Sequence, residues 1–228
     1  SPMSRGLGDV YKRQVLLHNE LFLASPSDFN DPFDCRIAPN FINLSEDEKK
    51  GWVNDLVIAG YDEAEKRGLN LEEVIEDVDR KLMNDPQGFQ IDYESKVFKS
   101  LDKYFGLLAL SKRWDSILMW SHYSSNHTGF SIGFYTDKLW QTGLFGKAAN
   151  VSYDERFPEI KPKIVKSPGE SGEQFFKMTF QKSKDWTYEE EFRLVKNFYP
   201  KAPQPFERIV TVPDAAFAEV ILLSLIHI

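Results

Sequence analysis

The sequence predicts an α+β fold, with a helical insert in the first half of the chain and a mostly antiparallel sheet in the second half. Apolar residues recur at helical spacing between residues 41 and 105. After residue 105 they fall instead into short runs bounded by glycine, proline and polar residues. Helices gathered before strands in this way are typical of α+β domains.

The first predicted elements are a short strand, a structured loop and a long helix. Leu21–Ala24 is apolar and forms the strand, and residues 25–34 contain two prolines with Asp and Asn turn formers. Ser45 and Glu48 have the spacing of a capping box, which predicts that a helix begins here. The apolar spacing continues this helix to about Arg67.

Further apolar spacing predicts two more helices, over Leu71–Leu82 and over Val97–Phe105. The second half is predicted to contain short strands with two helices between them. The predicted strands cover residues 106–111, 129–134, 150–153, 164–165, 191–196, 208–212 and 219–223, and the predicted helices cover residues 116–123 and 174–184.

We expect one domain over residues 15–223, in which residues 41–105 are the helical insert. Residues 1–14 and 224–228 resemble translated sequencing adapters of the kind found on metagenomic fragments, so we expect both ends to be non-native. No function is assigned to them, and a native first strand is expected to be missing.

Composition narrows the classes of function. The chain of 228 residues has 28 Lys and Arg against 35 Asp and Glu, a formal charge of −7, which argues against a broad nucleic-acid surface. Cys35 is the only cysteine, so no internal disulfide forms, as is typical of the reducing cytoplasm. No apolar run reaches membrane-spanning length, so a membrane partner is not expected. These features predict a cytoplasmic protein.

The first candidate site segment is the loop that contains Asn30, Asp31 and Asp34. Acids and an amide held by proline-containing turns can orient a ligand or bind a metal. They can also cap their own backbone in an Asx-turn, with Phe29 and Phe33 packed in the core. The sequence leaves these interpretations open.

The second candidate segment contains His122, Tyr123 and His127 within a region rich in aromatic and polar residues. The five-residue spacing of the histidines is not the i, i+4 spacing of a helical zinc motif, so no metal site is predicted here. We expect these side chains to hydrogen-bond a ligand or the neighbouring loop.

The third candidate segment begins a predicted strand with three adjacent acids. Glu189, Glu191 and Arg193 should share one face, while Glu190 and Phe192 share the other. Adjacent carboxylates repel one another, which indicates a partner or a functional need. The alternative is a solvated edge strand in which Arg193 pairs with Glu191.

These three segments, in this order, resemble the bacterial domain-of-unknown-function family numbered 2971. The residues that carry the resemblance are Leu21, Phe22, residues 25–34, Ser111, residues 118–123, His127, Gly129, Phe130, Trp186, Tyr188, Glu189 and residues 191–193. The helical insert between the first two segments matches little.

A weaker likeness is to ADP-ribosyltransferases, which have an aromatic or Ser in mid-chain and a Glu-x-Glu near the end. This resemblance implies NAD as cofactor, with Glu191 as the catalytic carboxylate and Glu189 as its helper. His122 and Tyr123 would then bind the ligand, and we expect Asn30, Asp31 and Arg193 to line the same cleft.

Three functions follow as alternatives. The first is NAD-dependent ADP-ribosyl transfer or NAD hydrolysis. The second is a metal-dependent nuclease that uses Asp31, Asp34, Glu189 and Glu191 around a hard cation. The third is a non-catalytic module that binds a nucleotide or a partner, for instance in phage defence. A small-molecule or nucleotide ligand is expected, and the sequence identifies no protein partner.

Overall fold

The computed structural model describes residues 15–67, 70–123, 129–164 and 168–222. The chain divides into two compact units. One unit, here called the sheet unit, comprises residues 1–34, 100–156 and 180–228, and the other, the helical unit, comprises residues 35–99 and 157–179. The single domain over residues 15–223 stays a prediction.

Three helices follow one another in the first half, α1 (Glu46–Arg67), α2 (Leu71–Asn84) and α3 (Pro86–Tyr104). The predicted capping box is confirmed, because the Ser45 amide donates to Glu48 at 2.9 Å and the Glu48 amide donates to Ser45 Oγ at 3.2 Å. The third helix begins 11 residues before its predicted start at Val97, and Phe105 already belongs to the next strand.

The core of the helical unit is aromatic. Phe41 is fully buried with Val53 and Leu82. Its ring meets the ring of Trp52 edge to face, with 4.8 Å between centroids. Apolar burial of this kind, rather than helix propensity, provides most of the stability of such helices.

The sheet unit contains short strands and two short helices. The strands are β1 (Glu20–Phe22), β2 (Phe105–Ser111), β3 (Phe130–Phe134), β4 (Lys147–Asn150), β5 (Ser152–Asp154), β6 (Gln181–Ser183), β7 (Glu191–Asn197), β8 (Ile209–Thr211) and β9 (Phe217–Leu222), and the helices are α4 (Ile117–Tyr123) and α5 (Thr136–Gln141).

Antiparallel pairing dominates, which confirms the predicted fold class. The largest sheet has the order β2-β7-β4, and β1 pairs with β8 and β3 with β9. The pairing of β5 with β6 is parallel.

The predicted helix over residues 174–184 is misplaced. The helix that forms, α6, spans Pro168–Thr179, and residues 181–183 form β6 instead. The reason is nonlocal, because β6 pairs with β5, which is about 30 residues earlier in the chain. Such a partner cannot be read from local periodicity.

Two predicted strands also differ. The predicted strand at residues 150–153 is split into β4 and β5 at Val151, whose amide donates to the Glu191 carbonyl. Ile164 is not in a strand, and Val165 lies outside the described residues. None of the described helices combines the length and apolar character needed to cross a membrane.

The two faces of the β2–β7 pair have different character. Leu108 and Leu110 lie opposite Leu194 and Phe192 and join the apolar core of the sheet unit. On the other face, Ala109 lies opposite Arg193 and Ser111 lies opposite Glu191. This second face positions the candidate site.

Candidate functional site

The sheet unit contains a cleft of about 980 Å³, which all three candidate segments help to line. We distinguish three parts of it. The strand gap is lined by residues 108–111 of β2 and 130–134 of β3. The polar end is lined by Asn30, Asp31, Lys112, Arg113, Trp114, Tyr123 and Trp186. The ionic cluster consists of Asp34, Lys182, Glu189, Glu191 and Arg193.

Arg193 is the centre of the ionic cluster and has no exposed surface. Its guanidinium donates to both oxygens of Glu191, at 2.6 and 2.8 Å, and to both oxygens of Asp34, at 3.1 and 3.0 Å. The Phe29 ring lies against it at 5.0 Å. Residues 191 and 193 share a strand face, as predicted, and the planar fork of arginine suits two carboxylates at once.

Lys182 is the second cation of the cluster. Its Nζ lies 2.5 Å from Glu189, 3.3 Å from Glu191 and 3.4 Å from Asp34. Three carboxylates and two cations leave a net charge of −1 in a buried place. Buried charges are tolerated only when they are paired in this way.

These contacts fix the protonation states. Burial alone would lower the pKa of Lys182, but Glu191, Asp34 and Glu189 reverse this effect and raise its pKa above the usual lysine range. Burial alone would raise the pKa of Glu191, but the Arg193 guanidinium beside it holds that pKa below its usual value. Lys182 is therefore cationic and Glu191 anionic at neutral pH.

Tyr123 connects the polar end to the ionic cluster. Its hydroxyl donates to Glu189 Oε1 at 2.6 Å. Burial, together with the negative charge of Glu189, raises the pKa of Tyr123, while a hydrogen bond with Asn30 acts to lower it. The structure thus brings Asn30, Tyr123 and Glu189 together, three of the residues that the sequence selected.

The backbone at Glu190 separates the three adjacent acids. A 3-10 helix over Lys184–Glu189 ends at Glu190, which has a left-handed φ of 41°. Glu190 turns outward to Arg113, at 3.3 Å on the surface, while Glu189 and Glu191 turn inward. The alternative of a solvated edge strand is wrong about the strand, because β7 is the central strand of its sheet and Arg193 is buried, but its pairing of Arg193 with Glu191 is confirmed.

Of the remaining predicted ligand residues, some line the cleft and others do not. Asp31 lines the cleft, and its Oδ1 also accepts the Phe33 amide at 2.9 Å, which is the expected Asx-turn. Phe33 is exposed rather than packed in the core. His122 is exposed near the Tyr188 ring and does not line the cleft. His127 lies outside the described residues.

The ionic cluster does not resemble a metal site. Among the described residues, no group of three or more His, Cys, Asp or Glu side chains is arranged to hold a metal ion. Three of the four carboxylates considered for a nuclease are already paired with cations, since Lys182 and Arg193 lie between Asp34, Glu189 and Glu191. A divalent cation would have to displace a buried ammonium or guanidinium group.

Sequence reasoning missed Lys182 and the rim residue Trp114. Lys182 was assigned to a helix, where an isolated lysine carries no signal. The available signal was the excess of acids at Glu189 and Glu191, which required a cation from elsewhere in the chain. Phe29, which the Asx-turn alternative placed in the core, packs on Arg193.

Fold and site together define an α+β chain with a ligand-sized cleft above a buried ionic cluster. Residues 119–194, about a third of the chain, match the family described as Protein of unknown function (DUF2971). The predicted resemblance is confirmed over this segment, which includes Tyr123, Lys182 and Arg193. Comparisons with curated proteins and with solved structures found no match.

Proposed function

We propose that the polar end of the cleft binds a nucleotide, and that NAD⁺ is the ligand to test first. One observation carries this proposal: Trp114 lies on the rim with 62 % of its surface exposed, two positions after Lys112, which also lines the cleft. An exposed indole can stack on a flat base, and a neighbouring cation attracts phosphates. The cleft volume is at the upper end of the range of about 300–1,000 Å³ for small-molecule sites.

The rest of the polar end supports a rigid binding site. Tyr123 is held by hydrogen bonds with Asn30 and with Glu189. Trp186 lies over Lys182, with 5.0 Å between Nζ and the ring centroid. Side chains fixed before the ligand arrives lose little conformational entropy on binding.

ADP-ribosyl transfer or NAD⁺ hydrolysis is the chemistry that we propose for this site. The bond between nicotinamide and ribose C1′ would break, nicotinamide leaving with the electron pair. Water or an acceptor hydroxyl would then bond to C1′ and lose its proton. A nearby carboxylate can stabilise the positive charge that develops on the ribose.

Of the two candidate carboxylates, Glu189 suits this role better than Glu191. Both oxygens of Glu191 accept hydrogen bonds from Arg193, which commits that side chain to the buried cluster. One oxygen of Glu189 is also bound in the cluster, by Lys182, but the other accepts from Tyr123, which lines the cleft. The sequence favoured Glu191 as catalyst and Glu189 as helper, and we propose the reverse. A cytoplasmic location, expected from the lone Cys35, fits an NAD⁺ ligand.

The test measures NAD⁺ binding by calorimetry and nicotinamide release by chromatography. Trp114→Ala should weaken binding about tenfold, since one stacked base contributes about 1–3 kcal/mol. Trp140→Ala is the matched control, because Trp140 is also exposed but does not line the cleft. Glu189→Gln should abolish turnover with little loss of binding.

The outcomes separate the alternatives. Binding without turnover would leave a non-catalytic nucleotide-binding module, and a role in phage defence stays a prediction from the sequence. If the intact chain neither binds nor consumes NAD⁺, or binds it equally well without Trp114, the proposal fails. Because the carboxylates of the ionic cluster are already paired with Lys182 and Arg193, we do not propose the metal-dependent nuclease.

A further inference from the structure

Glu219 is a carboxylate of the cleft that neither the ionic cluster nor the polar end contains. It belongs to β9, and its partner in the β3–β9 register is Gly133, a residue of the strand gap. Glu219 is exposed, and it lines the cleft. Its place in the cleft depends on the residue opposite it.

The absence of a side chain at Gly133 makes room for Glu219. A Cβ at position 133 would lie 2.9 Å from Glu219 Cγ and 3.3 Å from Glu219 Oε1. These separations are shorter than a normal van der Waals contact. The Glu219 side chain therefore lies over Gly133, and a larger residue at position 133 would push it aside.

A β-bulge lies at the same point of the two strands. Gly133 pairs with Glu219 but Phe134 pairs with Phe217, so Ala218 is an extra residue without a partner in β3. Bulges change the direction of nearby side chains and are frequent beside active sites. The bulge and the glycine are thus two separate features of the backbone that act on the Glu219 side chain.

The negative charge of Glu219 is not neutralised within the described part of the chain. No described residue forms an ion pair or a hydrogen bond with its carboxylate. Three of the cations that line the cleft already pair with other acids, since Lys182 and Arg193 belong to the ionic cluster and Arg113 pairs with Asp115. A carboxylate in a cleft attracts a cationic group of a ligand.

NAD⁺ contains one cationic group, the nicotinamide ring. Its adenine suits the exposed indole of Trp114 and its phosphates suit Lys112, both in the polar end. The nicotinamide ring then remains for another part of the cleft, and the carboxylate of Glu219 matches its charge.

We infer that Glu219 is a specificity-determining residue, which holds the nicotinamide ring in the strand gap and selects NAD⁺ over NADH. The ring is positively charged in NAD⁺ and neutral in NADH, while the adenine, riboses and phosphates are the same in both. Attraction by Glu219 therefore strengthens the binding of NAD⁺ alone. The inference rests on the proposed nucleotide binding, to which it adds the position of the nicotinamide ring and the discrimination by its charge.

The test compares the dissociation constants of NAD⁺ and NADH, measured by calorimetry on the full chain. The wild type should bind NAD⁺ about fivefold more tightly, which corresponds to about 1 kcal/mol, the upper end of the range for exposed ion pairs. Glu219→Gln keeps the size of the side chain and removes its charge, so the two affinities should then agree within about twofold. The binding of NADH should not weaken, which shows that this variant is folded.

Two pairs of variants make the test specific to this carboxylate. Gly133→Ala should also reduce the preference for NAD⁺, because the added methyl group pushes Glu219 aside. Its control is Gly146→Ala, since a Cβ at position 146 has no atom within 4 Å and Gly146 does not line the cleft. Glu155→Gln is the control for net charge, because Glu155 is 75 % exposed and lies outside the cleft lining.

The outcomes distinguish this inference from the proposed function. Equal binding of NAD⁺ and NADH by the wild type, or an unchanged preference in Glu219→Gln, would overturn the inference and leave nucleotide binding intact. A preference that Glu155→Gln also removes would result from net charge, which overturns it too. Binding of neither nucleotide would overturn the proposed function and this inference with it.

Discussion

Replacing Lys182 by Met should destabilise the sheet unit by about 3–5 kcal/mol, the usual cost of removing one partner from a buried ion pair. The Nζ group lies within 3.4 Å of three carboxylates, and its side chain is 8 % exposed. Methionine fills a similar volume but leaves Asp34, Glu189 and Glu191 with Arg193 as their remaining cation in the cluster. The net charge of the cluster changes from −1 to −2.

Lys184→Met is the matched control, two positions further along the chain. Lys184 also forms an ion pair, with Glu155 at 2.8 Å, but the two side chains are 65 % and 75 % exposed. Exposed pairs of this kind contribute about 0–1 kcal/mol. The two substitutions therefore remove lysine ion pairs that differ in burial and in the number of carboxylates contacted.

Urea unfolding followed by tryptophan fluorescence measures the difference. Four of the five tryptophans, Trp114, Trp120, Trp140 and Trp186, belong to the sheet unit, so the signal reports mainly on that unit. A loss of 3–5 kcal/mol corresponds to a fall in melting temperature of about 6–20 °C for a chain of this size. If Lys182→Met costs no more than Lys184→Met, the buried network does not stabilise the fold as argued.

The pH dependence of the stability provides an independent test of the same ion pairs. In the wild type, the folded pKa of Lys182 is raised, so its contribution is complete below the usual lysine pKa and is lost only at higher pH. The folded pKa of Glu191 is lowered, so its contribution is present above the usual glutamate pKa and is lost as the pH falls. Without Lys182, protonation of one carboxylate relieves repulsion, so the stability difference between Lys182→Met and wild type should be smaller at pH 5 than at pH 8.

Two further predictions concern the aromatic residues. Phe41→Ala should reduce the stability of the helical unit by about 3–5 kcal/mol through the cavity that it creates. The Trp52 ring lies 4.8 Å from the Phe41 ring, centroid to centroid, so its fluorescence emission should shift to the red when that contact is lost. An unchanged urea midpoint would contradict this account of the core. Burial, together with Glu191 and Glu189, raises the pKa of Tyr153 to about 12, so its contribution to stability is complete below about pH 10 and decreases as the pH rises towards 12. The urea midpoint should therefore change less between pH 9 and pH 11 in Tyr153→Phe than in the wild type. An equal change in the two proteins would refute the raised pKa of Tyr153.

Local patterns predicted the elements whose causes are local. The capping box at Ser45 and the apolar spacing of α1 and α2 depend on residues a few positions apart, and the structure has them where the pattern requires. The common face of Glu191 and Arg193 follows from strand alternation alone. These features could be predicted because one short window contains all their determinants.

The partners of the site could not be predicted, because the fold brings them from distant positions. Asp34 and Arg193 are separated by 159 positions in the sequence but form two hydrogen bonds. Lys182 enters the cluster on β6, a strand that exists only because β5 pairs with it in parallel. Nothing near residue 182 in the sequence requires a strand, so its helical assignment failed together with its role.

One backbone conformation determines which acids become part of the site. In a regular strand, Glu189 and Glu191 would share a face, but the two residues would then lie about 7 Å from each other along the strand axis. The end of the 3-10 helix at Glu189 and the left-handed Glu190 bring both carboxylates onto Lys182 instead, while Glu190 pairs with Arg113 at the surface. A left-handed conformation costs a non-glycine residue about 1–2 kcal/mol, which the buried ion pairs offset. The turn at Glu190 therefore places Glu189 against both Lys182 and Tyr123, the position from which our proposal gives it the catalytic role.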